Sequence, residues 1–400
     1  MTHAPWLSLI GIGEDGVLTA AARSFLDGAE VVYGGERHFS LVPVEAAKRR
    51  TWPSPFSHVF ADLNALKGKR VAVLATGDPQ WFGIGSSLAK HFDAGDMAVI
   101  PALSAFQLAA SRLGWAVQET ECLSLHGRPV ETLRTALYPG ARVLALTSDR
   151  ETPRRVADLL ADDGFGSTRM HVLEHIGGPQ EAHKSALAED WNDDVADFHT
   201  LALEVALDPG ARFRPNTPGL PDDAFHHDGK MTKQEVRAVT LAALAPHPGG
   251  VLWDIGAGCG SIGIEWLRAS PRGQAIGLEP HDERRAMADL NALTLGVPHF
   301  DLRKAPAPDG LDGLPEPDAI FIGGGLSVKG LFKRCLDALK PGGRLVANSI
   351  TLESESVLLG AWHTHGGDLT RLAIQRAKPV GGMTGWRPLM PVTQWSIVKS

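Results

Sequence analysis

Val251-Leu-Trp-Asp254-Ile-Gly256-Ala-Gly258-Cys-Gly260-Ser261 is the stretch that decides how the chain is read. Val251, Leu252 and Trp253 make an apolar strand, and Asp254 stands where it should end. Glycines at alternate positions let the backbone turn tightly and approach a ligand with no side chain in the way. Ile262, Ile264, Trp266 and Leu267 then begin a helical pattern. Strand, glycine turn and helix, in that order, describe the crevice of an open α/β sheet, where nucleotide-like cofactors bind.

Gly258, Gly260 and Gly263 match G-x-G-x-x-G, and so do Gly11, Gly13 and Gly16. Read literally, this is a dinucleotide fingerprint. The acids around the second match point to a different ligand. A carboxylate at Asp254 would repel a diphosphate but suits an ammonium group. S-adenosylmethionine carries an ammonium and a sulfonium and has no phosphate. Glu279, at the end of the next predicted strand, can accept from both ribose hydroxyls. The Gly11 match has no such acid at the right distance.

Outward from there, strands are expected at 274–278, 299–302, 319–322 and 344–347, with a terminal antiparallel pair from 369–377 and 393–398. Upstream, Thr232 and Glu235 have capping-box spacing, which predicts a helix start. Lys233 and Arg237 are four apart on one helical face, either as a solvated basic face or as partners for substrate carboxylates. Asp208–Asp228 is rich in proline and glycine and has the composition of a linker. The expected division is residues 1–208, a linker at 209–228, and residues 229–400. In the first half, strands alternate with helices, which indicates a largely parallel sheet. A break into two lobes is expected near Asp149–Pro153.

Length and composition agree with two soluble domains. The chain has 400 residues, 44% of them hydrophobic, and a formal net charge of −7. Its longest basic tract is Lys48-Arg49-Arg50, too short for a general nucleic-acid surface, although it leaves room for a local basic pocket. Cys122, Cys259 and Cys335 are far apart with no CxxC, as in a reducing, cytoplasmic compartment. Cys259 reads as a packed small residue rather than a nucleophile. Neither a signal peptide nor a membrane-spanning apolar run is recognised. His171-Val-Leu-Glu174-His175 matches H-x-x-E-H, but Val172, Leu173 and Ile176 read as a strand. Histidines four apart on a strand lie ~13 Å apart, too far to share a metal.

Asp254-Ile-Gly-Ala-Gly-Cys-Gly-Ser261 resembles the first motif of seven-stranded, Rossmann-like methyltransferases. With Met231–Arg237 ahead of it and Asp318-Ala-Ile-Phe-Ile-Gly-Gly-Gly325 behind, the second half resembles the precorrin carbon-15 methyltransferase/decarboxylase family. The first half resembles the tetrapyrrole methylases. The likeness rests on Gly11-Ile-Gly13 with Leu18-Thr19, Val32-Tyr-Gly-Gly-Glu-Arg-His38, Gly77-Asp78-Pro79 with Phe82-Gly83, and Leu173-Glu-His-Ile-Gly177. Glu14-Asp15 stands where most tetrapyrrole methylases have Pro-Gly. The order of the halves is that of the fused precorrin methyltransferases of cobalamin biosynthesis, and the likeness spans nearly the whole chain.

The resemblance implies an α/β protein: a two-lobed tetrapyrrole methylase fold followed by a Rossmann-like, seven-stranded class I methyltransferase fold. It implies one S-adenosylmethionine per domain, no metal, and a precorrin substrate. The first domain would methylate carbon 5. The second would methylate carbon 15 and decarboxylate the ring-C acetate. Cofactor would lie against Gly77, Asp78, Trp81, Ser104 and Ala105 in the first domain. In the second it would lie against Gly256, Gly258 and Gly260, with Asp254 binding it directly or through water. Glu279 would meet the ribose, Ala305-Pro306 the adenine, and Thr232 would add a contact. Arg37, His38, Lys233 and Arg237 are the candidates for substrate carboxylates. No general acid or base is assigned. A homo-oligomer is expected, with no nucleic-acid or membrane partner. Another tetrapyrrole substrate, or a nicotinamide-dependent oxidoreductase, remains the alternative to be tested.

Overall fold

The computed structural model describes residues 4–400. Tertiary contacts divide them into two compact units. One holds the residues up to Val130 with Tyr138–Phe213, and the other holds Glu131–Leu137 with Arg214–Ser400.

The first unit contains two five-stranded sheets. β1 (Leu7–Ile12), β2 (Val31–Tyr33), β3 (Arg49–Arg50), β4 (Val71–Thr76) and β5 (Met97–Ile100) form the first, in the order β3-β2-β4-β1-β5. Every pair in it is parallel. All six residues of β1 are buried, because helices cover both faces of such a sheet. The second sheet holds β6 (Glu121–Ser124), β7 (Arg142–Leu146), β8 (Arg169–Glu174), β9 (Ala182–Leu187) and β10 (His199–Glu204), in the order β6-β7-β10-β8-β9. Only β6 and β7 are parallel there.

The lobes therefore part between β5 and β6, not near Asp149–Pro153. Asp149–Pro153 instead leads into the helix Thr152–Asp162 of the second lobe, with Thr152 and Pro153 buried. Alternation of strand and helix runs on from β5 through the helix Ala105–Leu113 into the parallel β6–β7 pair. A change of sheet leaves no mark on such a pattern. His171 lies on β8, as a strand reading requires, and its Nδ1 meets His183 on the neighbouring β9 rather than His175.

The second unit is built on β11 (Val251–Ile255), β12 (Gln274–Leu278), β13 (Asp301–Arg303), β14 (Ala319–Ile322), β15 (Arg344–Ser349), β16 (Asp368–Leu372) and β19 (Val392–Val398). Their order is β13-β12-β11-β14-β15-β19-β16. The first five are parallel, and β19 runs antiparallel between β15 and β16. β17 (Gln375–Val380) and β18 (Met383–Pro388) form a separate hairpin closed by Gly381-Gly382. Alternation along β11 splits its side chains between two cores. Leu252 joins one with Trp266 and Phe321, while Val251, Trp253 and Ile255 join the other with Ile320 and Trp395.

The stretch expected to act as a linker contributes to the first of these cores through Leu220 and Phe225. The N–H groups of Gly219 and Leu220 both donate to the buried Glu265 carboxylate. Proline and glycine leave only the 3-10 turn Asp222–Ala224 here, but two apolar side chains and two backbone donors still fix the path. Among the described residues, no helix is long and apolar enough to cross a membrane.

Candidate active sites

In the second unit the strand order reverses between β11 and β14, which opens a crevice at the carboxyl ends of the strands. The glycine loop leaves β11 into it. Gly256, Gly258 and Gly260 all have positive φ (73°, 58° and 82°), backbone that side-chain-bearing residues rarely adopt. A Cβ on Gly256 would lie 3.0 Å from the Gly324 nitrogen, so the Gly323–Gly325 turn after β14 packs backbone to backbone against the loop.

Two carboxylates support this loop from beneath. Asp254 is 1% exposed, and its Oδ2 accepts the Gly263 N–H at 2.9 Å. Its Oδ1 is buried without a partner. Burial pushes the Asp254 carboxyl up to about 7, opposed by the Gly263 N–H and reinforced by the Glu279 charge. Glu279 is also buried, and it accepts the Gly258 and His281 N–H groups, both at 2.9 Å. Asn291 adds a brace that the sequence reading missed. Its amide donates to the Cys259 and His226 carbonyls and accepts the His226 N–H. The only signal was a polar residue on the buried stripe of Ala288 and Ala292. Burial raises the Cys259 thiol pKa, so Cys259 is a poor nucleophile.

These residues fit S-adenosylmethionine. A buried carboxylate oxygen with no donor is costly, and an ammonium group would supply one. A Cβ on Gly258 would meet nothing nearer than 4.0 Å, so the loop has open space above it. Ala305 and Pro306 follow β13, beside Glu279: the Glu279 N–H donates to Arg303, and a Cβ on Gly310 would lie 2.6 Å from that of Ala305.

Upstream, the structure separates residues that the sequence grouped together. The helix begins at Gln234 with Lys233 as its N-cap, so Thr232 is not the cap. Asp222 takes that role from outside by accepting the Gln234 N–H at 2.8 Å. Glu235 turns away to pair with Arg376 of β17. Lys233 stays half-exposed, its Nζ 3.3 Å from the Gly229 carbonyl. Arg237 is 0% exposed. It pairs with Glu265 at 2.6 Å and Asp222 at 3.4 Å, and donates to the Thr232 and Leu220 carbonyls. Arg237 therefore neutralises the acids beneath the helix and cannot meet a substrate carboxylate. Its place on the buried stripe of Val236, Thr240, Leu241 and Leu244 was the sign in the sequence.

In the first unit the Gly77 loop leaves β4 with φ +64°, and a Cβ there would lie 3.0 Å from the Ser104 Cα. Asp78 is partly exposed and caps its own turn by accepting the Gln80 N–H at 2.8 Å. Ser104 is the N-cap of the helix that begins at Ala105, in a capping box with Gln107. Trp81 packs against Phe106 of that helix, ring centres 5.0 Å apart. The expected cofactor residues of this unit thus gather where the loops after β4 and β5 meet.

Arg37 and His38 lie nearby but are already engaged. Arg37 pairs with Glu14, lies 3.6 Å over the Phe198 ring, and donates to Thr76 Oγ1. Glu14 also meets His175 at 3.3 Å, so it ties the two lobes together. His38 Nδ1 accepts the Gly35 N–H, which places the ring proton on Nε2, facing Thr76 Oγ1 at 3.1 Å. Burial, with the adjacent Arg37, pushes the His38 imidazole down to about 4. His38 is therefore neutral near pH 7 and offers a carboxylate no charge. Among the described residues no group of three or more His, Cys, Asp or Glu side chains could hold a metal ion.

Two family models match the chain: the precorrin methyltransferase domain over residues 223–399 and the tetrapyrrole (corrin/porphyrin) methylases over residues 9–191. A precorrin-6Y C(5,15)-methyltransferase [decarboxylating] from Sinorhizobium sp. is 49% identical over 400 residues, covering 99% of this chain and 97% of the relative. The chain belongs to the precorrin-6Y C5,15-methyltransferase (decarboxylating) family. Members of this family are S-adenosylmethionine-dependent methyltransferases, and the chain is one of them. Two shorter relatives each match 44% of the chain. One is a cobalt-precorrin-7 C(5)-methyltransferase from Salmonella typhimurium, 30% identical and covered over 87% of its length. The other is a probable cobalt-precorrin-6B C(15)-methyltransferase (decarboxylating) from Pyrobaculum calidifontis, 35% identical and covered over 93%.

Proposed function

We propose that the two units divide the family's reaction. The first methylates carbon 5 of a precorrin. The second methylates carbon 15 and releases the ring-C acetate carboxyl as carbon dioxide. Each draws on its own S-adenosylmethionine. The observation that carries this reading is the buried, partnerless Asp254 oxygen beneath three left-handed glycines, beside a second carboxylate at Glu279. The shorter relatives, each named for one of the two reactions, support the division.

The cofactor supplies an electrophilic methyl on a sulfonium. The chain's residues would hold it and align it for in-line displacement, and alignment alone can contribute several kcal/mol, about 7 or more in favourable cases. Asp254 would accept the ammonium and Glu279 the ribose hydroxyls. The Gly256–Gly260 backbone would lie against the methionine portion, and Ala305-Pro306 near the adenine. Gly77, Asp78, Trp81, Ser104 and Ala105 would form the corresponding site in the first unit. The nucleophile is an electron-rich carbon of the macrocycle, so no activated side chain is required. When the acetate loses carbon dioxide, the electron pair left behind passes into the conjugated ring, which serves as the sink.

The test is to incubate the full chain with S-adenosylmethionine and the reduced precorrin and weigh the product. The reading requires a gain of two methyls and the loss of one carboxyl. A gain of one methyl alone would remove one unit from the reaction, and no gain would remove the reading.

A further inference from the structure

We propose that the carboxyl-end rim of the first sheet is a platform for the flat face of a tetrapyrrole, built on exposed Phe82 and Leu103, with Arg50 receiving one of its carboxylates. This rests on the reading that the first unit methylates a precorrin.

The first sheet and its helices are unevenly apolar. Among the described residues up to Leu113, five large hydrophobic side chains are exposed: Val17, Phe25, Phe56, Phe82 and Leu103. Phe25 lies on the helix Ala20–Gly28. The other four lie on the loops that leave the carboxyl ends of β1, β3, β4 and β5. Scattered exposed hydrophobics need no explanation, but four gathered at the edge that carries the Gly77 loop do. At ~4.8 Å between strands, five strands spread these loops over roughly 19 Å, the scale of a macrocycle with its side chains.

Phe82 gives the clearest sign. It has φ +55°, a conformation a bulky side chain adopts only at a cost of about 1–3 kcal/mol. Its surroundings enforce this. A Cβ at Gly83 or Gly85 would lie 2.6 or 2.7 Å from the Pro79 carbonyl oxygen, so the loop is tightly wound on both sides. The residue nevertheless remains 43% exposed, and its ring makes an edge contact with Phe106 at 5.7 Å. Leu103, 60% exposed, comes from the facing loop, where its carbonyl oxygen would lie 3.2 Å from a Gly77 Cβ. Strain that presents an aromatic ring to water beside a cofactor loop gives the fold little, but it gives a stacking surface to a flat ligand.

Charge lies further along the same edge. Precorrins are polycarboxylates, yet Arg37 and His38 are not free to meet them. Arg50 is exposed and forms no carboxylate ion pair among the described residues; its guanidinium donates only to the Ala47 and Arg49 carbonyls. It is paired across the sheet with Tyr33 and followed by Trp52, which stacks on Tyr33 at 6.0 Å. Arg49, one residue earlier, points to the opposite face, over Phe39.

The test measures both methylations by the full chain under saturating S-adenosylmethionine, with Phe82→Gly, Phe82→Tyr, Arg50→Gln and Arg49→Gln. Phe82→Gly should raise the precorrin KM of carbon-5 methylation about ten-fold or more. It should leave carbon-15 methylation unchanged and the melting temperature equal or higher, since the strain is relieved. Phe82→Tyr should behave as the wild type. Arg50→Gln should raise the same KM about three- to ten-fold, and Arg49→Gln should not. A lower melting temperature with unchanged KM in Phe82→Gly would make Phe82 structural and overturn the platform. So would a changed oligomeric state with unchanged KM, which would make the rim a contact between copies. Wild-type protein that methylates no precorrin at carbon 5 would instead overturn the underlying reading, and the platform with it.

Discussion

The two glycine turns, one in each unit, are supported by different means. In the second unit, the loop after β11 stands on two buried carboxylates, one with an oxygen that nothing in the chain satisfies. In the first unit, the loop after β4 stands on backbone and caps. Asp78 is partly exposed and closes its own turn, and Ser104 caps the adjoining helix. The second site leaves a buried carboxylate oxygen open to a donor such as an ammonium group. The first offers shape and backbone polarity. The difference extends below the sites: the second unit buries an arginine–carboxylate cluster at Arg237, whereas the first places its Glu14–Arg37 pair at the partly exposed seam between lobes.

That contrast makes predictions of graded size. The largest concerns Arg237→Ala, which leaves the buried Glu265 without a cation, while Asp222 keeps Arg376. It should destabilise the protein by about 3–5 kcal/mol, read by denaturant unfolding. A stably folded variant that showed only a raised precorrin KM would return Arg237 to the substrate. Next, Asp254→Ala should lower carbon-15 methylation at least about a hundred-fold, close to 3 kcal/mol, while carbon-5 methylation persists. Normal carbon-15 rates with the fold intact would remove Asp254 from the site.

A third prediction uses pH. The folded Asp254 carboxyl is raised to about 7, so below that pH its protonated form predominates in the ligand-free protein. The stability it contributes is complete below about pH 4 and is lost as pH rises through 7, roughly 2–4 kcal/mol in all. The melting temperature of the wild type should therefore fall between pH 5 and 8 more than that of Asp254→Asn. Saturating S-adenosylmethionine should recover the difference, because an ammonium favours the ionised form. Equal pH profiles for the two proteins would show that Asp254 is already paired. The smallest effect is expected in the first unit. Asp78→Asn keeps an oxygen for the Gln80 N–H, so carbon-5 methylation should fall less than about five-fold. Loss as large as that from Asp254→Ala would mean both sites work by charge, and the contrast would fail.

The sequence carried the second site further than the first. Asp254, the alternating glycines and Glu279 are local to two strand ends, and strand–turn–helix order alone brings them together. Gly77 and Ser104 were reached through the family resemblance alone. Contacts across sequence were not legible. Glu14 neutralises Arg37, burial beside Arg37 keeps His38 neutral while Gly35 and Thr76 hold its ring, and Glu265 draws Arg237 inward. In each case a residue type that looked suited to a carboxylate was already committed to a partner that local pattern cannot show.

By itself, then, the sequence determined the α/β class, the glycine turns at strand ends, the two family motifs and hence the chemistry. Those follow from backbone freedom and hydrophobic period, which act over a few residues. Tertiary structure alone decided where the lobes part, that Leu220 and Phe225 belong to a core, and which charges are free. Burial and pairing depend on what other elements bring to the same place, and desolvation sets the energy of every charge found there.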